Sequence, residues 1–421
     1  MKINTEGAKR VIKNTGYLVF GSIFTKGLLM VVFIYVARIL GPEQYGTYYT
    51  AIEYVGLVAL FSRLGFDMTA IREGAKQLEH VSEIQNKLLP IRFYFSIVVA
   101  IIGFTVALVL DYNEFVTKLI IVLLPLVLIG GAISSGLIEH FNTSFRIIEN
   151  MKIVTIIQII RTVFFVFFSG LFILARYFNL YILAIIVVIS SLFALYVQIL
   201  YAKKYFEIKV NFNIDILFLK EIIKPVLLFG VVSILYMVSM KIDIQMLSNM
   251  INQKEVGYYA AGWQINNIGV VFIASLSLSL FPNSARLIKQ RLYRNKLALF
   301  ILTLSLVFAL FSFAITFFSR DIVSLIFGAK FDSTIEILKI LIWFIPIRVS
   351  LLWGSQILEC GDFLVTRVGV YLIPMLINII LNLYYIPKLG AVGAAYVSII
   401  SNIIMLILVT GSALYITKYK L

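Results

Sequence analysis

The chain has 421 residues, of which 61% are hydrophobic and only 14% charged, and its formal net charge is +15. A water-soluble protein of that length needs far more polar surface, so the composition excludes one. The positive charge points to membrane topology ahead of nucleic-acid binding, because the basic residues lie between apolar stretches. The single Cys360 rules out an internal disulfide and a cysteine-built metal site, and His80 and His140 stand in no HExxH spacing. No Walker-type phosphate loop occurs, so no metal, nucleotide or other cofactor is expected, and no catalytic residue.

A helix needs roughly 20 apolar residues to cross the hydrocarbon core. The basic start (Lys2, Lys9, Arg10, Lys13) leads into an apolar stretch long enough to span and stay, so no cleavable signal is expected. The expected spans are 16–38, 47–65, 91–110, 119–141, 153–175, 178–202, 225–249, 256–281, 297–318, 335–357, 365–386 and 391–417. Residues 177–202, 297–319 and 389–417 carry no charge at all. Pro125, Pro346 and Pro374 fall inside spans and predict bent helices, which a membrane bundle tolerates when neighbours satisfy the freed carbonyls. The fold class is an all-α integral membrane protein of about 12 transmembrane helices.

Orientation follows from the basic residues. With the N-terminus inside, 24 Lys and Arg fall in cytoplasmic segments and 7 on the opposite side (Arg38, Lys118, Arg176, Lys254, Arg320, Lys330, Lys388). The asymmetry predicts that both termini are cytoplasmic. The basic loop 286–296 reads mainly as topological, with anionic lipid headgroups as a second reading.

An internal repeat is visible. Leu18-Val19-Phe20-Gly21 opens the first span and Gly46-Thr47-Tyr48-Tyr49-Thr50-Ala51 the second. Leu227-Leu228-Phe229-Gly230 opens the seventh and Gly257-Tyr258-Tyr259-Ala260-Ala261 the eighth. This predicts an N-terminal six-helix lobe over 1–202, a basic cytoplasmic linker over 203–224 and a C-terminal six-helix lobe over 225–421. Within the linker, residues 214–224 read as a short amphipathic helix on the inner leaflet.

Polar residues at membrane depth are the informative ones. Lys26, Arg161, Lys241, Lys339 and Arg348 fall within spans, as do Glu53 and Asp243. Each costs about 2.5–3.5 kcal/mol at a helix centre facing lipid, so they pair, snorkel or line a wet cavity. Lys339 lies near a span end and reads as snorkelling. Lys241 shares a helix face with Gln245 and Ser248, while Asp243, two residues on, points elsewhere. Span eight adds Tyr259, Trp263, Gln264, Asn266 and Asn267, and the repeat sets Glu53 against Gln264. The candidate substrate-cavity residues are Lys26, Arg161, Lys241, Arg348, Gln264 and Asn267, and Glu53 and Asp243 are candidates for ion coupling. Helix–helix hydrogen bonding remains the competing reading for the amides. Basic residues outnumber acidic ones at depth by five to two, which suits an anionic substrate such as a phosphate better than a cation.

The segment Ala37-Arg38-Ile39-Leu40-Gly41-Pro42-Glu43-Gln44-Tyr45-Gly46-Thr47-Tyr48-Tyr49 resembles the first outer loop of bacterial polysaccharide flippases. These are the Wzx-type O-antigen and capsule repeat-unit translocases of the multidrug/oligosaccharidyl-lipid/polysaccharide exporter superfamily. Gly65-Phe66-Asp67 with Ile71-Arg72-Glu73-Gly74-Ala75-Lys76 is similar to their next cytoplasmic stretch. Residues 378–395, from Asn378 through Asn382, Pro387 and Gly390, are similar to their eleventh helix. The resemblance covers essentially the whole chain, and its first and last motifs are the specific ones.

The resemblance implies a MATE-like fold, two six-helix lobes around a central cavity. It also implies translocation of an undecaprenyl-pyrophosphate-linked oligosaccharide, an O-antigen or other surface polysaccharide unit, from the cytoplasmic to the periplasmic leaflet. The implied setting is the bacterial inner membrane, with membrane lipids, the lipid-linked substrate, a polysaccharide polymerase and chain-length proteins as partners. It carries over no residue role, and for Asn378 and Asn382 packing or capping stays open. The alternatives are a multidrug or organic-cation exporter of the same superfamily, which should depend on a carboxylate, and a membrane-embedded polymerase or glycosyltransferase. The second usually needs a sizeable extramembrane loop, whereas the longest outer segment here is 319–334. The chain is therefore expected not to be an enzyme.

Overall fold

A computed structural model describes residues 5–76, 78–133, 135–209, 211–361 and 363–419. Lys2 and Lys420, counted above among the inner charges, lie outside the described residues, as do the side chains of Lys9, Arg10, Lys13 and Arg286. Every regular element among the described residues is a helix. Among the described residues, seven helices are long and apolar enough to cross a membrane. Two of these stretches, Gly16–Lys76 and Val365–Tyr419, have 61 and 55 residues, each enough for two crossings. The chain is a multi-pass membrane protein. It divides into two compact units, Met1–Phe33 with Thr50–Met237 and Ile34–Tyr49 with Val238–Leu421.

Helix α1 (Thr5–Arg63) runs through two expected spans with one interruption, at Gly41. Gly41 has φ 78° and precedes Pro42, so a residue free to adopt positive φ meets one that cannot donate an amide hydrogen bond. The two spans join without a loop. In the first unit α1 leads to α2 (Phe66–Lys76), an amphipathic helix bearing Asp67, Arg72, Glu73 and Lys76. α3 (Val81–Val109) follows, and Asn113 then caps α4 (Glu114–Leu123) by accepting from the Val116 amide at 2.9 Å.

The fourth expected span, 119–141, is not one helix. α4 gives way at Leu124–Pro125 to the single turn α5 (Leu126–Ile129), the backbone leaves helical geometry, and α6 (Gly136–Ile147) resumes. Gly130, Gly131 and Gly136 all have positive φ, which glycine alone adopts without strain. Ser135 Oγ donates to the Leu126 carbonyl at 3.3 Å, partly replacing the lost helix bonds. Irregular backbone at membrane depth persists only inside protein or beside a wet cavity, and this break is largely buried and borders a cavity. The unit continues with α7 (Met151–Leu174) and α8 (Leu180–Tyr205).

The expected surface helix over 214–224 is instead the first part of α9 (Ile216–Met250), 35 continuous residues. Asp215 starts it by accepting from the Phe218 amide at 3.0 Å, and that bond, with Lys87 nearby, holds the Asp215 carboxyl below its ordinary pKa. Ile222 and Val226 are buried against Phe66, Ala70, Leu88 and Ile91, which seats the start of α9 on the first unit.

The second unit contains α10 (Gln253–Leu287), α11 (Arg291–Phe317), α12 (Ser319–Ile326), α13 (Thr334–Leu341), α14 (Phe344–Cys360) and α15 (Leu364–Tyr419). The expected span 335–357 is thus two helices. Pro346 sits in the first turn of α14, where its missing donor costs nothing. Pro374 lies within continuous helix, and α15 is interrupted at Gly390 (φ 57°), where Glu255 accepts from the Ala391 amide at 2.8 Å.

Residues 34–49 of α1 belong to this unit, and that placement gives the outer-loop motif a physical reason. Arg38 donates to the Leu325 and Ile326 carbonyls at the end of α12. A Cβ on Gly46 would collide with the Gln253 carbonyl, and one on Gly257 with the Pro42 carbonyl. The two glycines that the internal repeat aligns therefore pack backbone to backbone. The outward face of α11, including Leu302, Leu306, Leu310 and Phe313, is apolar and exposed, as a lipid-facing surface requires.

Candidate functional site

Two polar constellations stand at membrane depth or at its margin, one in each unit. In the first unit, buried Asp67 gathers three donors. Arg63 Nε donates to Oδ2 at 2.6 Å, Arg92 Nη2 to Oδ1 at 2.7 Å and Thr143 Oγ1 to Oδ1 at 3.0 Å. Arg92 is only 2% exposed, so this ion pair has left water entirely. Glu139 on α6 forms the second node. It accepts from Arg146, lies 3.6 Å from Arg63 Nη2, and takes the Asn142 amide at 3.3 Å. Gln198 on α8 donates to Asn142 Oδ1 at 2.8 Å, extending the network across the unit.

Beside Glu139 and the α5–α6 break lies a cavity of about 30 Å³. Its lining includes Gly131, Glu139, Asn142, Gln158 and Arg161. Of the candidates in this unit, Arg161 lies in the cavity wall, half-buried. Glu53 is half-buried and Lys26 exposed, and neither lines it.

In the second unit, Asp243 on α9 is 1% exposed and takes three neutral donors. Tyr259 Oη donates at 2.7 Å, Asn382 Nδ2 at 2.7 Å, and Ser398 Oγ completes the set. Asn382 also donates to Asn378 Oδ1 at 3.1 Å, and its own Oδ1 is buried without a hydrogen-bond partner. Asn382 of the eleventh-helix motif thus bonds a buried carboxylate, with Asn378 of the same motif behind it.

The remaining candidates of this unit spread around that core. Arg348 is buried, donates to Met240 Sδ at 3.0 Å and lies 4.8 Å from the Phe344 ring centre. Lys241 is half-buried, one residue along from Met240. Gln264 is buried and accepts from Tyr49 Oη at 2.8 Å, whereas Asn267 is exposed. Lys339 is paired with Glu336 at 2.6 Å.

Several members escaped the sequence reading. Position along the chain puts Arg63, Arg92 and Arg146 among the inner-loop charges, yet each has a carboxylate partner in the structure. The i,i+4 spacing of Arg63 and Asp67 was a usable signal. Ser398 was also passed over, although Ser398, Ser401 and Asn402 stand at helical spacing within a charge-free stretch, and all three are buried.

Residues 11–288 match the family model described as polysaccharide biosynthesis protein. The chain is 24% identical over 404 residues to the capsular polysaccharide biosynthesis protein CapF of Staphylococcus aureus, covering 94% of this chain and 98% of that one. Among solved structures, the lipid II flippase MurJ in an inward closed conformation superposes with a TM-score of 0.74 at 14% identity, covering 93% of this chain and 86% of that one. A MATE-family multidrug resistance transporter in its outward-facing conformation gives 0.70 at 17% identity, covering 97% and 96%. A transporter of the same superfamily from Pyrococcus furiosus, described by a reversed polarity of its binding pocket, gives 0.68 at 16%, covering 98% and 97%. At these identities the superpositions establish a shared fold, and the match over 11–288 establishes that this chain belongs to the polysaccharide biosynthesis protein family.

Proposed function

We propose that this protein is a flippase that moves an undecaprenyl-pyrophosphate-linked oligosaccharide, the repeat unit of a surface polysaccharide, from the cytoplasmic to the periplasmic leaflet. The family match carries the reading. The sign of the charge at depth supports it: Arg161 lines a polar cavity, Arg348 is buried, and guanidinium groups suit phosphate oxygens. CapF serves capsule biosynthesis and MurJ flips lipid II, which brings a lipid-linked sugar forward as the substrate class.

In this proposal lobes 1–202 and 225–421 alternate access, and the polyprenyl tail stays in lipid. Both termini are cytoplasmic in the inner membrane, as the basic asymmetry favours. A polymerase and chain-length proteins receive the product. Asp243 serves as the coupling group, loading and releasing a proton or small cation, because its donors are neutral and the Asn382 carbonyl oxygen beside it is unbonded. Glu53 is the second coupling candidate.

The organic-cation exporter shares the fold but sits poorly with Arg161 in the cavity wall and Arg348 buried. The polymerase or glycosyltransferase finds no support, since the structures sharing this fold are transporters and flippases. Lys241→Ala and Arg161→Ala should each cut translocation while membrane insertion stays normal. Wild-type translocation by both variants would overturn the cationic path.

A further inference from the structure

The position of Glu139 has a consequence for how the first unit handles an anion. Its carboxylate stands where basic groups converge: Arg146 donates to it, Arg63 lies 3.6 Å away, and Arg161 lines the cavity it borders. Asp67 already takes Arg63 Nε and Arg92, so Glu139 is the carboxylate partner of Arg146 and only the second partner of Arg63. Three guanidinium groups, those of Arg63, Arg92 and Arg146, thus share two carboxylates, and Arg161 stands in the wall of the adjoining cavity. Arg63 and Arg146 keep 30% and 26% of their side chains exposed, so an incoming ligand can reach them, while Glu139 keeps 6%.

The remaining cavity, about 30 Å³, has room for one or two waters and not for a phosphate group. The donors that line it (Arg161 and the amides of Asn142 and Gln158) are of the kind that bind phosphate oxygens, and the Glu139 carboxylate that also lines it holds Arg146 beside it. The glycine-rich break beside it lacks the helix bonds that would fix that wall.

We propose that Glu139 is a displaceable internal counter-ion, filling the seat that a phosphate group takes among Arg63, Arg146 and Arg161. This rests on the flippase reading for the identity of the phosphate, that of the lipid-linked diphosphate. When the ligand enters, Glu139 swings out; when Glu139 returns, it competes the ligand off. The carboxylate therefore weakens binding and speeds release, so its removal should lower both half-saturation and turnover.

The test is calorimetric binding of inorganic pyrophosphate to the purified full-length protein in neutral detergent. Glu139→Gln should bind about tenfold or more tightly than wild type, the factor that about 1.4 kcal/mol of lost competition gives. Arg161→Met should bind more weakly. Glu139→Ala, which removes the same carboxylate and no donor, should also tighten binding and serves if Glu139→Gln fails to fold. Unchanged or weaker binding in the folded carboxylate variants overturns the proposal.

Competition then identifies the source of the phosphate. Displacement of pyrophosphate by undecaprenyl diphosphate below the concentration that phosphatidylglycerol requires supports the carrier. Equal or better displacement by phosphatidylglycerol overturns that assignment in favour of a lipid-headgroup site. If pyrophosphate binds as expected and lipid-linked oligosaccharide still fails to flip, the flippase reading falls and the seat stands. Normal flipping with no effect of Glu139→Gln on binding gives the reverse.

Discussion

Asp67 and Asp243 are both buried carboxylates with three donors, yet they are solvated in opposite ways. Two of the donors to Asp67 are guanidinium groups, so its charge is cancelled on the spot. The donors to Asp243 are a phenol, a hydroxyl and an amide, which orient around a charge without cancelling it. A compensated carboxylate holds helices together and loses heavily when one partner is removed. A carboxylate solvated only by neutral dipoles is where gaining or losing a proton or small cation changes the local energy most. The first is a structural staple; under the proposed function the second is a switch.

The largest expected effect on stability comes from breaking the staple. Arg92→Met leaves Asp67 buried with half its compensation and should cost about 3–5 kcal/mol, read as a lowered midpoint of thermal unfolding in detergent. Asp243→Asn should do the opposite, keeping the Tm within about 5 °C of wild type or raising it, since a buried charge has been removed. Translocation by that variant should nevertheless fall to the level of a strain lacking the protein. If Asp243→Asn unfolds as Arg92→Met does, the distinction between staple and switch is lost.

Smaller effects sharpen the contrast. Gly257→Val forces a side chain into the Pro42 carbonyl and should cost about 1–3 kcal/mol, measured in the same unfolding experiment. Tyr49→Phe removes the hydroxyl that donates to Gln264 and should cost about 0.5–1.5 kcal/mol. A larger loss of translocation than of stability in Tyr49→Phe would assign Gln264 to the substrate path.

The sequence made the helical class and most spans legible because apolar runs of about 20 residues have few other uses. It pointed to Asp243, since an acid in an apolar span always needs an explanation. It did not reveal the break after Ile129, because Gly130, Gly131 and Gly136 are apolar by composition and leave hydropathy intact while changing backbone geometry. Nor did it separate Arg92 from a loop charge: at the margin of a span, snorkelling and burial give the same pattern, and only Asp67, 25 residues away, decides between them. Gly46 and Gly257 were found as a repeat, but their mutual contact depends on tertiary structure.

The most direct test of the account is the leaflet in which lipid-linked oligosaccharide resides in cells lacking this protein, measured by its accessibility to a periplasmic ligase or an impermeant sugar-modifying reagent. The account predicts accumulation on the cytoplasmic side, reversed by the wild-type gene and not by the Asp243→Asn variant. Arrival of the oligosaccharide on the periplasmic side at the normal rate in those cells would contradict it.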